Sequence, residues 1–218
     1  MNTWVPTLVA ERYKSSRIVA FSSGNVYPLT RIGAPAPTEA SRVGPIGDYA
    51  QSCLGRERMF EYFSARHGTP GRIVRLNYAI DMRYGVLYDI ASKVRRGEPV
   101  DVTMGHVNVI WQGDANEQVL RCLARCTTPS SVINSTGLEA LSVRMLASQL
   151  GQRMGVEAKI AGREADTALL SDASAAAQLF GPPSVPLDRM LDWVADWVAG
   201  GGPSLGKPTK FEVRDGTF

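Results

Sequence analysis

Residues 47–57 read Gly47-Asp48-Tyr49-Ala50-Gln51-Ser52-Cys53-Leu54-Gly55-Arg56-Glu57. This stretch predicts the start of a helix that runs to about residue 67, because Gly68 and Pro70 are helix stop signals. Upstream, residues 17–23 form a short apolar run with β-branched members and two terminal serines, which predicts a buried strand. A long loop rich in glycine and proline, residues 24–48, joins the two, and loops of this length are usually functional. We therefore expect the functional site to lie where this strand and this helix meet.

In the rest of the chain, the periodicity of apolar residues predicts alternating strands and helices. Strands are predicted at 72–77, 107–111, 130–134 and, more weakly, 157–160. Helices are predicted at 3–14, 47–67, 84–97, 114–125, from Leu141 or Ser142 to about 150, 172–180 and 187–198. The first helix carries Trp4, Leu8 and Val9 on one stripe, and the last carries Trp193 and Trp197 as core anchors. Such alternation indicates βαβ units around a parallel sheet.

Composition excludes several classes of function. The chain has 218 residues, of which 44% are hydrophobic, and a net charge of +3 spread over 24 basic and 21 acidic side chains. Without a long basic run, nothing favours nucleic acid or a membrane as partner. Neither a signal peptide nor a membrane-spanning run is recognisable, so the default expectation is a cytoplasmic protein. Three cysteines predict buried free thiols, and two distant histidines give no metal-ligand spacing.

Several short motifs, taken in order, resemble the extended short-chain dehydrogenase/reductase family, which includes nucleotide-sugar epimerases and dehydratases. The motifs are Ser22-Ser23-Gly24-Asn25-Val26-Tyr27, the helix that opens with Tyr49, Arg75-Leu76-Asn77, Val109-Ile110-Trp111-Gln112-Gly113-Asp114, Val132-Ile133-Asn134 and Ser171-Asp172-Ala173-Ser174-Ala175. The resemblance covers most of residues 2–198. It implies an α/β chain with a partial doubly wound, Rossmann-like parallel sheet and a smaller C-terminal α/β substrate-binding region.

The same resemblance divides the chain and assigns its site. Residues 1–80 correspond to the second half of the Rossmann-like domain, 81–199 to the substrate-binding region with remaining sheet strands, and 200–218 to a tail that wraps the surface or frays. Hydride transfer with NAD or NADP on a sugar or nucleotide-sugar substrate is implied. The implied catalytic positions are Ser23, Tyr49 and Cys53, the coenzyme contacts are Ser22, Tyr49, Arg75 and Leu76, and the substrate contacts are Ser23, Gly24, Asn25, Asn77 and Tyr78.

Cys53 departs from the family pattern, because a lysine stands there, four residues after the tyrosine. That lysine holds the nicotinamide ribose and lowers the pKa of the tyrosine. A tyrosine without a nearby cation has a pKa of about 10, so about one part in a thousand is phenolate at neutral pH. Proton transfer by Tyr49 is therefore expected to be weak unless another cation, with Arg56 as the candidate, substitutes. A second hypothesis makes Cys53 a nucleophile or redox thiol.

Two polar residues have simpler structural interpretations. Asn77 is either a substrate contact or the residue of a strand-end turn with unusual backbone angles. Asp114, which with Gln112 could line the cleft, is expected to act as a helix N-cap.

Before Ser22 the sequence has no Gly-x-x-Gly-x-x-Gly, the pattern that places bare backbone against the coenzyme pyrophosphate. Strand 17–23 would then form an uncovered edge, which favours either a longer protein or a partner, including a homodimer mate. Two functions follow. One is an NAD(P)-dependent epimerase, dehydratase or reductase that is impaired or incomplete as this chain. The alternative is a non-catalytic ligand-binding or interaction module completed by a partner chain.

Overall fold

The computed structural model describes residues 1–217 and consists of helices packed around short strands. The helices are α1 (Trp4–Arg12), α2 (Gly47–His67), α3 (Val86–Arg95), α4 (Gln112–Cys122), α5 (Val143–Met154), α6 (Ser174–Phe180) and α7 (Leu187–Ala199). The strands are β1 (Ile18–Ser23), β2 (Thr30–Arg31), β3 (Gly71–Leu76), β4 (Ala79–Ile80), β5 (Val100–Asp101), β6 (His106–Val107), β7 (Ile110–Trp111), β8 (Ser131–Ser135), β9 (Leu141–Ser142), β10 (Ile160–Ala161) and β11 (Thr167–Ala168).

The largest sheet has three parallel strands in the order β1-β3-β8. Apolar side chains cover both of its faces. One face packs with α1 and α2 through Ala10, Ala20, Phe60 and Ile73, and the other packs with α4 and α6 through Val74, Cys122, Ile133 and Ala176. The register sets Ser23 beside Leu76 and Leu76 beside Ser135, so the carboxyl ends of the three strands meet at one edge. The predicted α/β class is confirmed.

Helix α2 has the predicted bounds. It begins at Gly47, whose φ is +80°, and its C-cap is Gly68 in the left-handed region with φ +71°. A glycine at the C-cap adopts this conformation without a Cβ penalty, which explains why the helix stops there. Its buried side chains recur every three or four residues, namely Ala50, Cys53, Glu57, Phe60 and Ser64. Tyr49 therefore lies in the first turn, beside the carboxyl ends of the strands.

The smaller region is built on the mutual packing of α3, α5 and α7. Their buried side chains form the largest apolar cluster of the described chain, which includes Leu87, Ile90, Leu146, Leu150 and Leu191. Helix α5 begins where predicted, because the Ser142 hydroxyl accepts a hydrogen bond from the Met145 amide at 3.3 Å.

The predicted strand at 107–111 is wrong as a single element. The run divides into β6, which pairs antiparallel with β9, and β7, which pairs parallel with β4. Asn108 lies between them, 3% exposed. Its side chain donates to the Glu139 carbonyl at 3.0 Å and accepts from the Ser171 amide at 3.0 Å. An apolar run with one buried asparagine therefore crosses between two small sheets.

Helix α1 does not bury the predicted stripe. Trp4 is 67% and Leu8 51% exposed, whereas Pro6 and Ala10 are buried. Small residues allow this close docking on α2: a Cβ at Gly55 would lie 2.9 Å from the Thr3 hydroxyl. The helix exists as predicted, but Val9 is the one member of the predicted stripe that packs against the protein, on the face that buries Ala10.

Both tryptophans of α7 are half-buried rather than fully enclosed. Trp193 packs against Trp111 with 5.0 Å between ring centroids, and Trp197 donates its indole N–H to the Pro203 carbonyl at 3.1 Å. Trp197 thus ties the end of α7 to the following tail.

The tail after α7 wraps the protein rather than fraying. Phe211 is 2% exposed and belongs to the main apolar cluster. Arg214 donates to the Thr167 carbonyl at 2.6 Å, and Lys93 forms an ion pair with Glu212 at 3.2 Å. The tail is therefore an integral part of the fold.

Strand β1 lies at one edge of the three-stranded sheet, and Phe21 in its middle is 43% exposed. Between residues 1 and 217 no helix combines the length and apolarity that crossing a bilayer requires.

Candidate active site

A cavity of about 640 Å³ opens at the carboxyl ends of β1 and β3. This position is where ligands bind in doubly wound sheets, and the volume falls within the range of small-molecule sites. Its wall is formed by the end of β1 with the turn that follows it, the start of α2, the segment from the end of β3 to the start of α3, the start of α4, and the tail. The predicted site residues that line it are Ser22, Ser23, Asn25, Tyr49, Leu76, Asn77 and Tyr78.

Ser23 and Tyr49 both line this cavity, and the Ser23 hydroxyl lies near enough to act on the pKa of Tyr49. Ser23 also caps the short 3₁₀ turn that follows β1, where its hydroxyl accepts from the Asn25 amide at 3.1 Å. That turn fixes the serine hydroxyl at the strand end. Two hydroxyl groups therefore line the cavity from adjacent elements, which would allow both to hydrogen-bond one oxygen of a bound ligand.

The pKa of Tyr49 is raised above its ordinary value. Partial burial is the main cause, and the neighbouring Cys53 thiol adds to it, whereas Ser23 and Arg56 act in the opposite direction. Because the upward causes prevail, Tyr49 is a neutral phenol at physiological pH. It is suited to donate a proton or a hydrogen bond, and poorly suited to act as a base.

Cys53 lies behind Tyr49 and does not line the cavity. It is 0% exposed and packs in an apolar cluster with Val26, Tyr27, Val43 and Leu54. Burial raises the pKa of its thiol, so it is neutral rather than a reactive thiolate. The hypothesis of a nucleophilic or redox Cys53 therefore lacks both the exposure and the charge state it needs.

Arg56 lies close enough to Tyr49 to lower its pKa, as the sequence hypothesis required. Its guanidinium is engaged elsewhere: it donates to the Phe21 carbonyl at 2.6 Å and to the Asn2 side chain at 2.7 Å. Since the pKa of Tyr49 remains raised, Arg56 does not replace the missing lysine. It attaches β1 and the segment before α1 to α2 instead.

Arg75, predicted from the resemblance as a coenzyme contact, does not reach the cavity. It is 5% exposed, and its guanidinium donates two hydrogen bonds to Glu57, at 2.9 and 2.7 Å. A third goes to the Tyr27 hydroxyl at 2.8 Å, and Ser22 donates to Glu57 at 2.5 Å. These groups form a buried polar network directly beneath Ser23.

The segment after β3 positions two more predicted residues. Asn77 is 2% exposed, and a Cβ on Gly24 would lie 2.9 Å from its side chain, so Gly24 permits the turn after β1 to approach Asn77. The unusual backbone angle falls on Tyr78, whose φ is +43°, and not on Asn77. The interpretation of Asn77 as the turn residue with unusual backbone angles is therefore wrong, because Tyr78 carries the positive φ.

Asp114 is not a helix N-cap, since Trp111 holds that position. Its carboxylate accepts from the Ser184 hydroxyl at 2.6 Å and from the Val185 amide at 3.1 Å, which fixes the segment before α7. Gln112 lines the cavity, as considered from the sequence, and Asp114 does not.

Several lining residues were missed from the sequence. They are Phe21, Ala79, Tyr84, Gly85, Val86, Ala115, Asn116, Leu205, Lys207 and Thr209. Those near 84–86 and 115–116 lie at helix starts beside the strand ends, a position from which the topology could have identified them. The three from the tail had no signal, because docking of the tail depends on the distant burial of Phe211.

No protein-family model and no curated protein matches this sequence. Solved structures do match. A mutant of the Bacillus cereus UDP-glucuronic acid 4-epimerase, in complex with a fluorinated UDP-glucuronic acid and NAD, has a TM-score of 0.79 at 18% identity over 91% of this chain and 67% of its own.

Two further epimerases are similar. The Thermus thermophilus UDP-glucose 4-epimerase with NAD has a TM-score of 0.76 at 16% identity, covering 89% of this chain and 68% of its own. The Thermotoga maritima UDP-glucose 4-epimerase with UDP-glucose has a TM-score of 0.76 at 17% identity, covering 92% and 70%. The chain thus spans about two thirds of the length of these neighbours, and the fold expected from its motifs is confirmed.

Proposed function

We propose, from the fold that this chain shares with NAD-dependent UDP-sugar epimerases, that it provides the substrate cleft and the serine–tyrosine pair of a protein acting on a sugar or nucleotide sugar by hydride transfer. The observation that carries this proposal is that Ser23 and Tyr49, from adjacent elements, line one cavity at the strand ends and lie near enough for Ser23 to act on the pKa of Tyr49. In this proposal the activity of this chain alone is impaired, because no cation lowers the pKa of Tyr49 enough for the tyrosine to act as a base. We take the protein to be cytoplasmic.

The two hydroxyl groups have distinct roles in this proposal. Ser23, fixed by the 3₁₀ turn, hydrogen-bonds the reacting hydroxyl or carbonyl oxygen of the ligand. Tyr49 exchanges a proton with that same oxygen. With its pKa raised, the neutral phenol donates a proton to a carbonyl oxygen more readily than it removes one from a hydroxyl.

The residues present fit the implied coenzyme, NAD or NADP, only in part. The coenzyme would supply the chemistry of hydride transfer. Ser22, Tyr49 and Leu76 line the cavity where its nicotinamide end would lie. Arg75 is enclosed in an ion pair with Glu57, and the buried Cys53 cannot hold a ribose. We therefore derive no step through the coenzyme.

Weak coenzyme binding is the first expected result. Calorimetric titration of this chain with NAD and with NADP should give no saturation up to about 1 mM. The reason is that the ribose contact is missing and the lining offers the pyrophosphate no glycine-rich loop. Saturable binding of either dinucleotide at micromolar concentration would contradict this expectation.

The proposed function predicts that UDP-glucose or UDP-glucuronic acid binds in the cavity and contacts Tyr49. In calorimetry, Tyr49→Phe should weaken that binding by about threefold to tenfold, the usual value of one hydrogen bond. Tyr62→Phe is the matched control, because Tyr62 lies on the same helix and is exposed to a similar extent, 53% against 46% for Tyr49, but does not line the cavity. Failure of both nucleotide sugars to bind, or equal binding by the two variants, would refute the proposed function.

A non-catalytic ligand-binding module completed by another chain is the second candidate. The raised pKa of Tyr49 favours it, as does the edge position of β1, where a second copy or a different chain could pair. Chromatography that resolves isomeric UDP-sugars separates the two, applied to UDP-glucuronic acid after incubation with the chain and the highest attainable concentration of NAD, because coenzyme binding is expected to be weak. Product that depends on Tyr49 supports the enzyme, and binding without conversion supports the module.

A further inference from the structure

Lys207 carries the single charged side chain among the described residues that line the cavity. The remaining lining residues are apolar, or carry hydroxyl and amide groups. Within residues 1–217 the Lys207 ammonium has no hydrogen bond and no ion pair. Lys207 is exposed, so the cavity presents this uncompensated positive charge on its solvent-facing side.

The segment around Lys207 is held at both sides. The Leu205 amide donates to the Arg83 carbonyl at 3.1 Å. On the other side, the Thr209 amide and hydroxyl both donate to one carboxylate oxygen of Asp89, at 2.7 and 2.5 Å. Pro208 further restricts the backbone between these contacts. We call residues 205–209 the strap.

The strap also borders a second depression of about 360 Å³, which contains two carboxylates that could attract Lys207. Both have other partners: Asp89 accepts from Thr209, and Glu212 forms an ion pair with Lys93 at 3.2 Å. No ion pair therefore draws Lys207 out of the large cavity.

We propose that Lys207 recognises an anionic group of the ligand, so that the strap selects negatively charged substrates for the cavity. This inference rests on the proposed function and deepens it, because it states the charge that the substrate carries. A phosphate and a sugar carboxylate share this chemistry. An ammonium without an internal partner attracts either group, and the attraction is stronger in a concave site than on an open surface.

The test compares Lys207→Gln with Lys210→Gln. Lys210 lies three residues further along the tail and does not line the large cavity, so its loss changes net charge equally. Calorimetric titrations with UDP, UDP-glucose and UDP-glucuronic acid should show about tenfold weaker binding for Lys207→Gln and wild-type binding for Lys210→Gln. The loss should diminish at high salt, because screening weakens the wild-type attraction.

The ligands distinguish the two sources of charge. If all three bind more weakly to Lys207→Gln, the lysine contacts a phosphate; if UDP-glucuronic acid alone does, it contacts the carboxylate. Equal binding of every ligand by wild type and Lys207→Gln overturns the proposal.

Titrations with inorganic pyrophosphate and with glucuronate separate this proposal from the proposed function. If nucleotide sugars fail to bind but either anion binds in a Lys207-dependent manner, the function is wrong and the anion site stands. If neither anion nor any of the nucleotides binds to wild type, or if Lys207→Gln binds them all normally, the anion site is refuted.

Discussion

Replacing Arg75 with methionine is expected to lower the free energy of unfolding by about 3 to 5 kcal/mol, because the change leaves a carboxylate buried without its cation. The Glu57 and Arg75 side chains are 1% and 6% exposed, and their closest atoms are 2.7 Å apart. Burial acts to lower the pKa of Arg75, but its hydrogen bonds and attraction to Glu57 outweigh burial and raise it. The guanidinium therefore stays charged, and the pair is a true ion pair.

Urea denaturation of three variants checks this expectation. Arg96→Met is the matched control, because it breaks an ion pair with Glu98 whose side chains are 57% and 50% exposed. Such an exposed pair contributes about 1 kcal/mol or less. The double variant Glu57→Gln with Arg75→Met removes both charges and should recover part of the loss. A cost for Arg75→Met as small as that for Arg96→Met would show that the buried pair is not essential.

The network also connects stability to the site. Glu57 accepts from Ser22, the neighbour of Ser23, and Arg75 donates to Tyr27, which in turn donates to Asn134 in β8 at 2.8 Å. One buried ion pair thus joins α2, β1, β3 and β8 beneath the strand ends. Although Arg75 is not placed to touch a coenzyme, it fixes the elements that carry the hydroxyl pair.

Local signals predicted the parts of the site that depend on adjacent residues. The apolar run before Ser22 and Ser23 and the stop at Gly68 defined β1 and α2, and together these elements place Tyr49 beside Ser23. The parallel register then aligns Ser23 with Leu76, so the cleft at the strand ends follows from topology.

Parts of the structure that depend on distant contacts were not predictable in this way. Helix α1 packs Val9 and Ala10 into the cluster that contains Phe60 of α2. It leaves Trp4 and Leu8 exposed, although the predicted stripe placed them beside Val9. The run at 107–111 divides because buried Asn108 bonds to segments more than thirty residues away. Lys207 reaches the cavity because Phe211 anchors the tail in the core, and no pattern near Lys207 indicates this.

Replacing Cys53 with lysine is expected to lower the pKa of Tyr49 by about one to three pH units. The phenolate fraction at neutral pH would then rise by about tenfold to a thousandfold. The new ammonium would stand where Cys53 now helps to raise the pKa of Tyr49. Glu57 lies close enough to act electrostatically on position 53 and would favour the charge, whereas Arg56 would oppose it.

A lysine at position 53 also enlarges a fully buried site, which by itself costs about 1 to 3 kcal/mol. Cys53→Met is therefore the matched control, because it adds similar length to the same apolar cluster without charge. The pKa of Tyr49 can be followed in each variant by NMR titration with ring-labelled tyrosine, its signal assigned through Tyr49→Phe. The lysine variant should titrate below the methionine variant, and any UDP-sugar turnover with NAD should rise in the lysine variant alone. Identical titration of Tyr49 in the two folded variants would mean that the missing cation is not what keeps Tyr49 protonated.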